Sequence, residues 1–231
     1  MSVLWSIILS TVLTGILAVD RTALGQLQIS RPIVAAPLLG LILGCPAEGV
    51  IAGLIYELLF VRSLPVGSFI PEKPLYPSLM AVLLYAINRD ISPGTYVLSA
   101  AVVVAIPTFT VDRLADVLWR RSNERTFHRA EVFVRLGRAD LARLGHILSI
   151  LRAGLYHSAA FLLLVAVLEP LFRLTLGGLV SSPGLLTVAA MVPFITGLAG
   201  LAAERTQNAR WTGFAAGLLL GCAVGIWRHL L

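Results

Sequence analysis

The stretch Arg31 to Pro71, RPIVAAPLLGLILGCPAEGVIAGLIYELLFVRSLPVGSFIP, constrains this chain more than any other. It is almost wholly apolar, yet Pro32, Pro37, Pro46 and Pro65 interrupt it, and glycines stand at 40, 44, 49, 53 and 67. Each half is short for a membrane crossing, which takes about 20 residues and no fewer than about 17. Gly49 to Val61 is thirteen residues long, and Arg31 to Gly44 carries two prolines near its start. Joined by Cys45-Pro46-Ala47-Glu48, the two runs predict a hairpin over 31–62, either re-entrant or made of broken helices. Backbone of that kind survives at membrane depth only inside protein or beside a wet cavity. Transporters place binding sites on such segments.

The spacing sharpens this. Ala36, Gly40 and Gly44 lie four apart, and so do Gly49, Gly53 and Glu57. Each set shares one helical face, and small residues at that spacing allow a second helix to come close. Glu57 would then end a smooth glycine face, directed at packed protein rather than lipid. An unpaired carboxylate there is costly, so Glu57 needs a partner. It is either a ligand contact or a structural group bonding backbone amides freed by the prolines.

Composition agrees with a membrane protein. Of the 231 residues, 58% are hydrophobic and 13% charged, with a mean hydropathy of +0.89; this is the profile of a polytopic membrane chain forming a single membrane domain, 1–231. The net charge of +6 comes from 17 Arg and one Lys. Basic residues gathered on one face of a membrane give the ordinary positive-inside signal, so no nucleic-acid partner is expected. Cys45 and Cys222 sit in separate apolar runs and read as free buried thiols. No basic region precedes the first apolar run, and no cleaved leader is expected.

Along the N-terminal part, 1–111, Val3 to Val19 is a first span closed by Asp20-Arg21. Residues 22–30 read as an interfacial helix. After the hairpin and a proline-rich loop, Leu75 to Ile87 is a short apolar span, and Thr95 to Val111 another with Pro107 near its end. The segment 112–152 then holds nine of the 17 Arg and five acids, Asp112, Asp116, Glu124, Glu131 and Asp140. That is a solvated, salt-bridged helical pattern, expected to lie against the cytoplasmic membrane face as the chain's one sizeable loop. The C-terminal part, 153–231, contains spans at Ala153–Phe172, Leu185–Ala203 and Trp211–Trp227, with a turn at Gly177-Gly178 and 181–184. Gly213, Gly217, Gly221 and Gly225 form a close-packing stripe in the last span. With the arginine-rich loop inside, Arg21, Arg31, Arg62 and Lys73 also fall inside, and Arg89, Arg173 and Arg228 lie outside or at the outer edge. The fold class is therefore all-α, polytopic, with one hairpin and one Arg-rich cytoplasmic helical loop.

Catalytic signatures are not found. There is no phosphate-binding glycine loop, and His128, His146, His157 and His229 lack Cys or His neighbours at metal-ligand spacing. No catalytic residue, metal or cofactor is expected.

One further pattern concerns order. Asp20-Arg21, Arg31-Pro32, Pro37-Leu38-x-Gly40, Leu43-Gly44, Gly49-x-x-x-Gly53-x-x-x-Glu57-Leu58, Pro65-Val66-Gly67 and Pro71 follow one another, and then Ile106-Pro107, Asp112, Arg121-x-Asn123, His128-x-Ala130, Gly137 and His146. In this order and spacing the chain resembles enzyme IIC, the membrane-channel subunit of the mannose/fructose/sorbose-type sugar phosphotransferase system, from about residue 15 to 165. It departs from the family's usual Pro-Asp step after Pro71, having Glu72-Lys73-Pro74. The resemblance implies a bacterial inner-membrane subunit. Such a subunit pairs with a IID membrane subunit in a larger homo-oligomer. It translocates a hexose or amino sugar, which IIB phosphorylates with phosphate relayed through IIA. On that reading Glu57 is the first candidate for accepting sugar hydroxyls, since a carboxylate takes two such bonds well. Asp20, Arg31 and Glu72 are second candidates at the cytoplasmic mouth. His128 and His146 are expected to be structural or partner contacts, because the resemblance places phosphorylation on IIA and IIB. The competing reading is a non-transporting scaffold that docks IIB-like proteins.

Overall fold

The computed structural model describes residues 2–21, 25–60, 74–91 and 94–180. Among them are seven helices and no strand: α1 (Val3–Asp20), α2 (Pro32–Leu43), α3 (Pro46–Phe60), α4 (Leu75–Asn88), α5 (Gly94–Ala105), α6 (Thr108–Arg135) and α7 (Ala139–Val180). α1 and the Ala139–Leu174 part of α7 are long and apolar enough to cross a membrane, and α5 with α6 passes the same test as one span bent by 43°. The bend falls at Ile106-Pro107, where the proline ring cannot continue the preceding helix. The expected span 95–111 is thus broken a few residues before its end.

α4 is the centre of the molecule. Leu75, Tyr76, Ser78 and every residue from Leu79 to Leu84 are 0% exposed. It is packed by α5, α2, α1, α3, α6 and α7. A helix without a charged residue between Leu75 and Asn88 has no face suited to water, and burial on all sides is the stable outcome. α1 packs on α7 through small and hydroxyl-bearing residues. Ser10 and Thr14 bond the carbonyls four residues back at 2.7 Å. A Cβ at Gly15 would fall 2.8 Å from the Gly154 carbonyl oxygen, so the two backbones meet there.

α2 and α3 form the expected hairpin. Twelve and fifteen residues give lengths of roughly 18 and 22 Å at about 1.5 Å per residue. Both are shorter than a hydrocarbon core of about 30 Å. The expected glycine faces meet. A Cβ at Gly49 would lie 2.6 Å from the Ala36 carbonyl oxygen, and one at Gly53 would lie 2.6 Å from that of Pro32. Gly44 plays a different part from the one its spacing suggests. It caps α2 with φ 74°, a left-handed conformation suited to glycine, and no described residue approaches its Cβ position.

Three expectations change. Residues 25–30 form a turn rather than an interfacial helix, with positive φ at Gly25, Gln26 and Gln28. The cause is Asp20, whose carboxylate accepts the backbone N–H groups of Leu27 (2.9 Å) and Ile29 (3.1 Å) and winds the chain around itself. The arginine-rich segment is helical, as expected, but its helices do not begin and end with it: α6 starts at Thr108 and α7 runs on to Val180, with a turn between them at Leu136–Arg138. Nor is it solvated throughout, because Asp112, Asp116 and Trp119 are buried. Finally, α7 continues through 177 and 178 to Val180 in place of a turn. Glu72, the spans expected at 185–203 and 211–227, Cys222 and the Gly213–Gly225 stripe lie outside the described residues.

Candidate functional site

Two groups of polar side chains stand at the two ends of the α2–α3 hairpin. Glu57 is the last member of the glycine row on α3, which brings it beside the first turn of α2. It pairs with Arg31 at 2.7 Å, and its second oxygen accepts the Ile33 N–H at 3.4 Å. The Ile33 N–H lies in the first turn of α2, where a helix offers no carbonyl four residues back, and Glu57 satisfies it. Its side chain is 15% exposed and that of Arg31 50%. The structure therefore joins two of the four candidate residues in one ion pair at the hairpin base. Asp20 is at the end of α1, buried and engaged in the loop turn described above. Glu72 is outside the described residues.

Beside the base is a second pair that spacing alone did not single out. Arg21 holds Asp112 through two nitrogens, at 2.8 and 3.4 Å. Asp112 also accepts the Tyr76 N–H at 3.1 Å and is fully buried. One carboxylate thus fastens the end of α1, the start of α4 and the start of α6. A carboxylate at a helix N-terminus with a bidentate arginine is a strong arrangement. Deeper in the bundle the Tyr76 hydroxyl lies 2.9 Å from both the Nδ1 and the carbonyl oxygen of His157. It is also edge-on to Phe161 at 5.6 Å. His157 is thereby placed in the core, joining α4 to α7. A histidine in an apolar span was the visible signal; its tyrosine partner 81 residues away was not.

The hairpin tip carries a further polar group. The Tyr85 hydroxyl donates to Glu48 at 2.7 Å. Arg89 donates to the Gly44 carbonyl at 3.2 Å. Asn88, one turn beyond Tyr85, is 1% exposed, and its Nδ2 bonds the Leu84 carbonyl at 2.9 Å. Cys45 is a buried free thiol beside them. Glu48 reads in sequence as a connector residue, and only the folding of α4 against the hairpin brings Tyr85 to it.

The α6–α7 hairpin has a different character. Arg120 pairs with Asp116 (2.8 Å) and Arg135 with Glu131 (2.6 Å), while Arg121, Arg125 and Arg129 have no ionic partner among the described residues. A groove of about 200 Å³ runs between the helices, lined by Ala130, Phe133, Leu144 and Leu148 and flanked by Arg129 and Arg152.

The family described as "PTS system sorbose-specific iic component" matches residues 4–226. The match covers nearly the whole chain, and the chain belongs to that family. It is also similar to the PTS system sorbose-specific EIIC component of Lacticaseibacillus casei, 28% identical over 111 residues, which make up 48% of this chain and 38% of that relative. The aligned part thus spans under half of the relative's length.

Proposed function

We propose that this chain is the sugar-translocating IIC subunit of a sorbose-type phosphotransferase system, which binds a hexose within the membrane and hands it to IIB for phosphorylation. Membership of the IIC family supports the system and the subunit type. The observation that carries the translocation reading is the hairpin. Its two helices are too short to cross, are packed backbone to backbone, and carry carboxylates at both ends. Such an element serves poorly as a lipid anchor and suits the wall of a polar path.

On this reading the arginine-rich α6–α7 hairpin is cytoplasmic, by the positive-inside rule, and the chain is a multi-pass protein of the bacterial inner membrane. The hairpin base is then the inner mouth. There Glu57 accepts sugar hydroxyls while Arg31 holds it in place, and Glu72 adds a second carboxylate. Asp20 acts by fixing the loop that leads into the base. IID completes the membrane unit, whose copies associate further. IIA and IIB supply the phosphate, and the open arginines of α6 receive the soluble subunit. The substrate is a hexose, with sorbose first because the similar protein is named for it.

Uptake of radiolabelled L-sorbose, D-fructose and D-mannose tests this in cells carrying IIA, IIB and IID with and without this chain. The expected result is saturable uptake, recovered as sugar phosphate, that requires the chain. Equal uptake without it would leave the scaffold reading in its place.

A further inference from the structure

The two ends of the hairpin differ in how fully their acceptor oxygens are occupied, although Arg21 Nε beside the base is buried without a hydrogen-bond partner among the described residues. At the base each carboxylate is engaged through both oxygens. Glu57 takes Arg31 and the Ile33 N–H, Asp112 takes Arg21 and the Tyr76 N–H, and Asp20 takes two backbone N–H groups. At the tip the capacity is open. Among the described residues Glu48 has one hydrogen-bond partner, the Tyr85 hydroxyl on Oε1. Asn88 has its amide nitrogen tied to Leu84, while its Oδ1 is buried with no hydrogen-bond partner among the described residues. A buried acceptor left unmade is costly, and native proteins keep such atoms where a ligand or water completes them.

We propose that Glu48, Tyr85, Asn88 and Arg89 form a sugar-hydroxyl subsite at the hairpin tip, separate from the Arg31–Glu57 base. Tyr85 and Asn88 are three residues apart on α4 and share a helical face. Glu48 enters from the first turn of α3 and Arg89 from the end of α4. The phenol orients the carboxylate and leaves Oε2 to accept a hydroxyl. Asn88 Oδ1 accepts a second hydroxyl, and the exposed Arg89 guanidinium donates to a third oxygen, its one bond to the Gly44 carbonyl using a single N–H. Two acceptors, a donor and an aromatic edge match the alternating hydroxyls of a neutral hexose better than an anion, which Glu48 would repel. Gly94 preserves the room, since a Cβ there would lie 3.1 Å from the Tyr85 hydroxyl. α4 is 14 residues long, which puts tip and base at opposite ends of a helix of roughly 21 Å. The tip is then the site that meets sugar before the base does.

This inference rests on the translocation reading, and one set of measurements separates the two. L-sorbose, D-fructose and D-mannose are titrated against the purified full chain in complex with IID. In parallel the alkylation rate of an Ala47→Cys variant at the exposed tip is followed with and without each sugar. The expected result is saturable binding of at least one sugar. Glu48→Gln and Asn88→Ala should each weaken that binding about tenfold, and the bound sugar should slow alkylation at position 47 several-fold. Binding by the parent with unchanged affinity in both variants, or with no protection at position 47, overturns the tip subsite while leaving translocation intact. No binding of any of the three sugars by the parent overturns both. If either variant fails to fold, protection at position 47 decides alone.

Discussion

The closest packing in the hairpin gives the most quantitative prediction. Gly53→Ala adds a Cβ 2.6 Å from the Pro32 carbonyl oxygen and 3.2 Å from the Pro37 ring. Ordinary contact begins at 3.4 Å, so the new methyl is roughly 0.8 Å too close to main chain at the start of α2. Neither neighbour can rotate away, because one is a backbone carbonyl and the other a proline ring. Overpacking of this kind costs about 1–3 kcal/mol, while alanine in place of glycine in a helix returns about 1 kcal/mol. The net change is a loss of up to about 2 kcal/mol, accompanied by separation of Arg31 from Glu57. Gly49→Ala should behave alike, with 2.6 Å to the Ala36 carbonyl oxygen. Gly145→Ala is the control. Its only neighbour among the described residues is a Thr126 methyl at 3.8 Å, so the helix gain of about 1 kcal/mol should appear undiminished. Thermal stability of the purified protein, followed by the loss of monodisperse protein on size exclusion after heating, reads all three. Lower midpoints for Gly49→Ala and Gly53→Ala with a raised one for Gly145→Ala are expected. A midpoint for Gly53→Ala at or above the parent's would refute the close hairpin contact.

Three further outcomes follow from the charged groups. Asp112→Asn leaves the Arg21 guanidinium, 13% exposed, beside a neutral amide, and removing one partner of a buried pair costs up to about 3–5 kcal/mol; the folded yield should fall steeply, and a normal yield would show that the pair does not hold α1, α4 and α6 together. Charge reversal at Arg121 and Arg125, which have no ionic partner among the described residues, should weaken IIB binding and flatten its salt dependence in pull-down titrations. Unchanged binding would point to lipid contact as the role of that charge. Asp90→Cys should react with an impermeant maleimide on intact cells and Arg125→Cys only after permeabilisation; reaction at 125 on intact cells would reverse the topology.

The sequence was most legible where a residue type leaves one physical option. A charge-free apolar run bounded by Asp20-Arg21 could only be α1, and Gly40, Gly49 and Gly53 could only serve a close helix contact, whereas Gly44 of the same row caps α2 instead. Glu57, ending that row, could be foreseen to need a partner, but the spacing did not name Arg31, which supplies it. What escaped depends on side-chain contacts that spacing does not encode, whether seven residues apart or ninety-one. The turn at 25–30 arises because Asp20 collects two N–H groups, a bond that periodicity does not encode. Asp112 looks in sequence like one acid among many arginines, and burial against Arg21 and the α4 N-terminus sets it apart. The same holds for Glu48, whose partner Tyr85 belongs to a helix that sequence marks as apolar and nothing more. The extent of α6 and α7 was missed for a simpler reason. A helix crossing from lipid to water changes composition without changing conformation, so the change at Asp112 reads as a boundary where the backbone has none.

Whether this chain itself holds the sugar is tested most directly by equilibrium binding to the purified chain with IID, measured together with folded yield, for the parent and for Glu57→Gln. Hydrogen bonds to a charged group contribute about 1.5–3 kcal/mol each, and about 1.4 kcal/mol is tenfold in affinity. Saturable hexose binding by the parent is expected, weakened by about one to two orders of magnitude in Glu57→Gln, with folded yield retained. Unchanged affinity in Glu57→Gln, or loss of folded protein with normal affinity in what remains, would make Glu57 structural, and no binding by the parent would refute sugar binding by this chain.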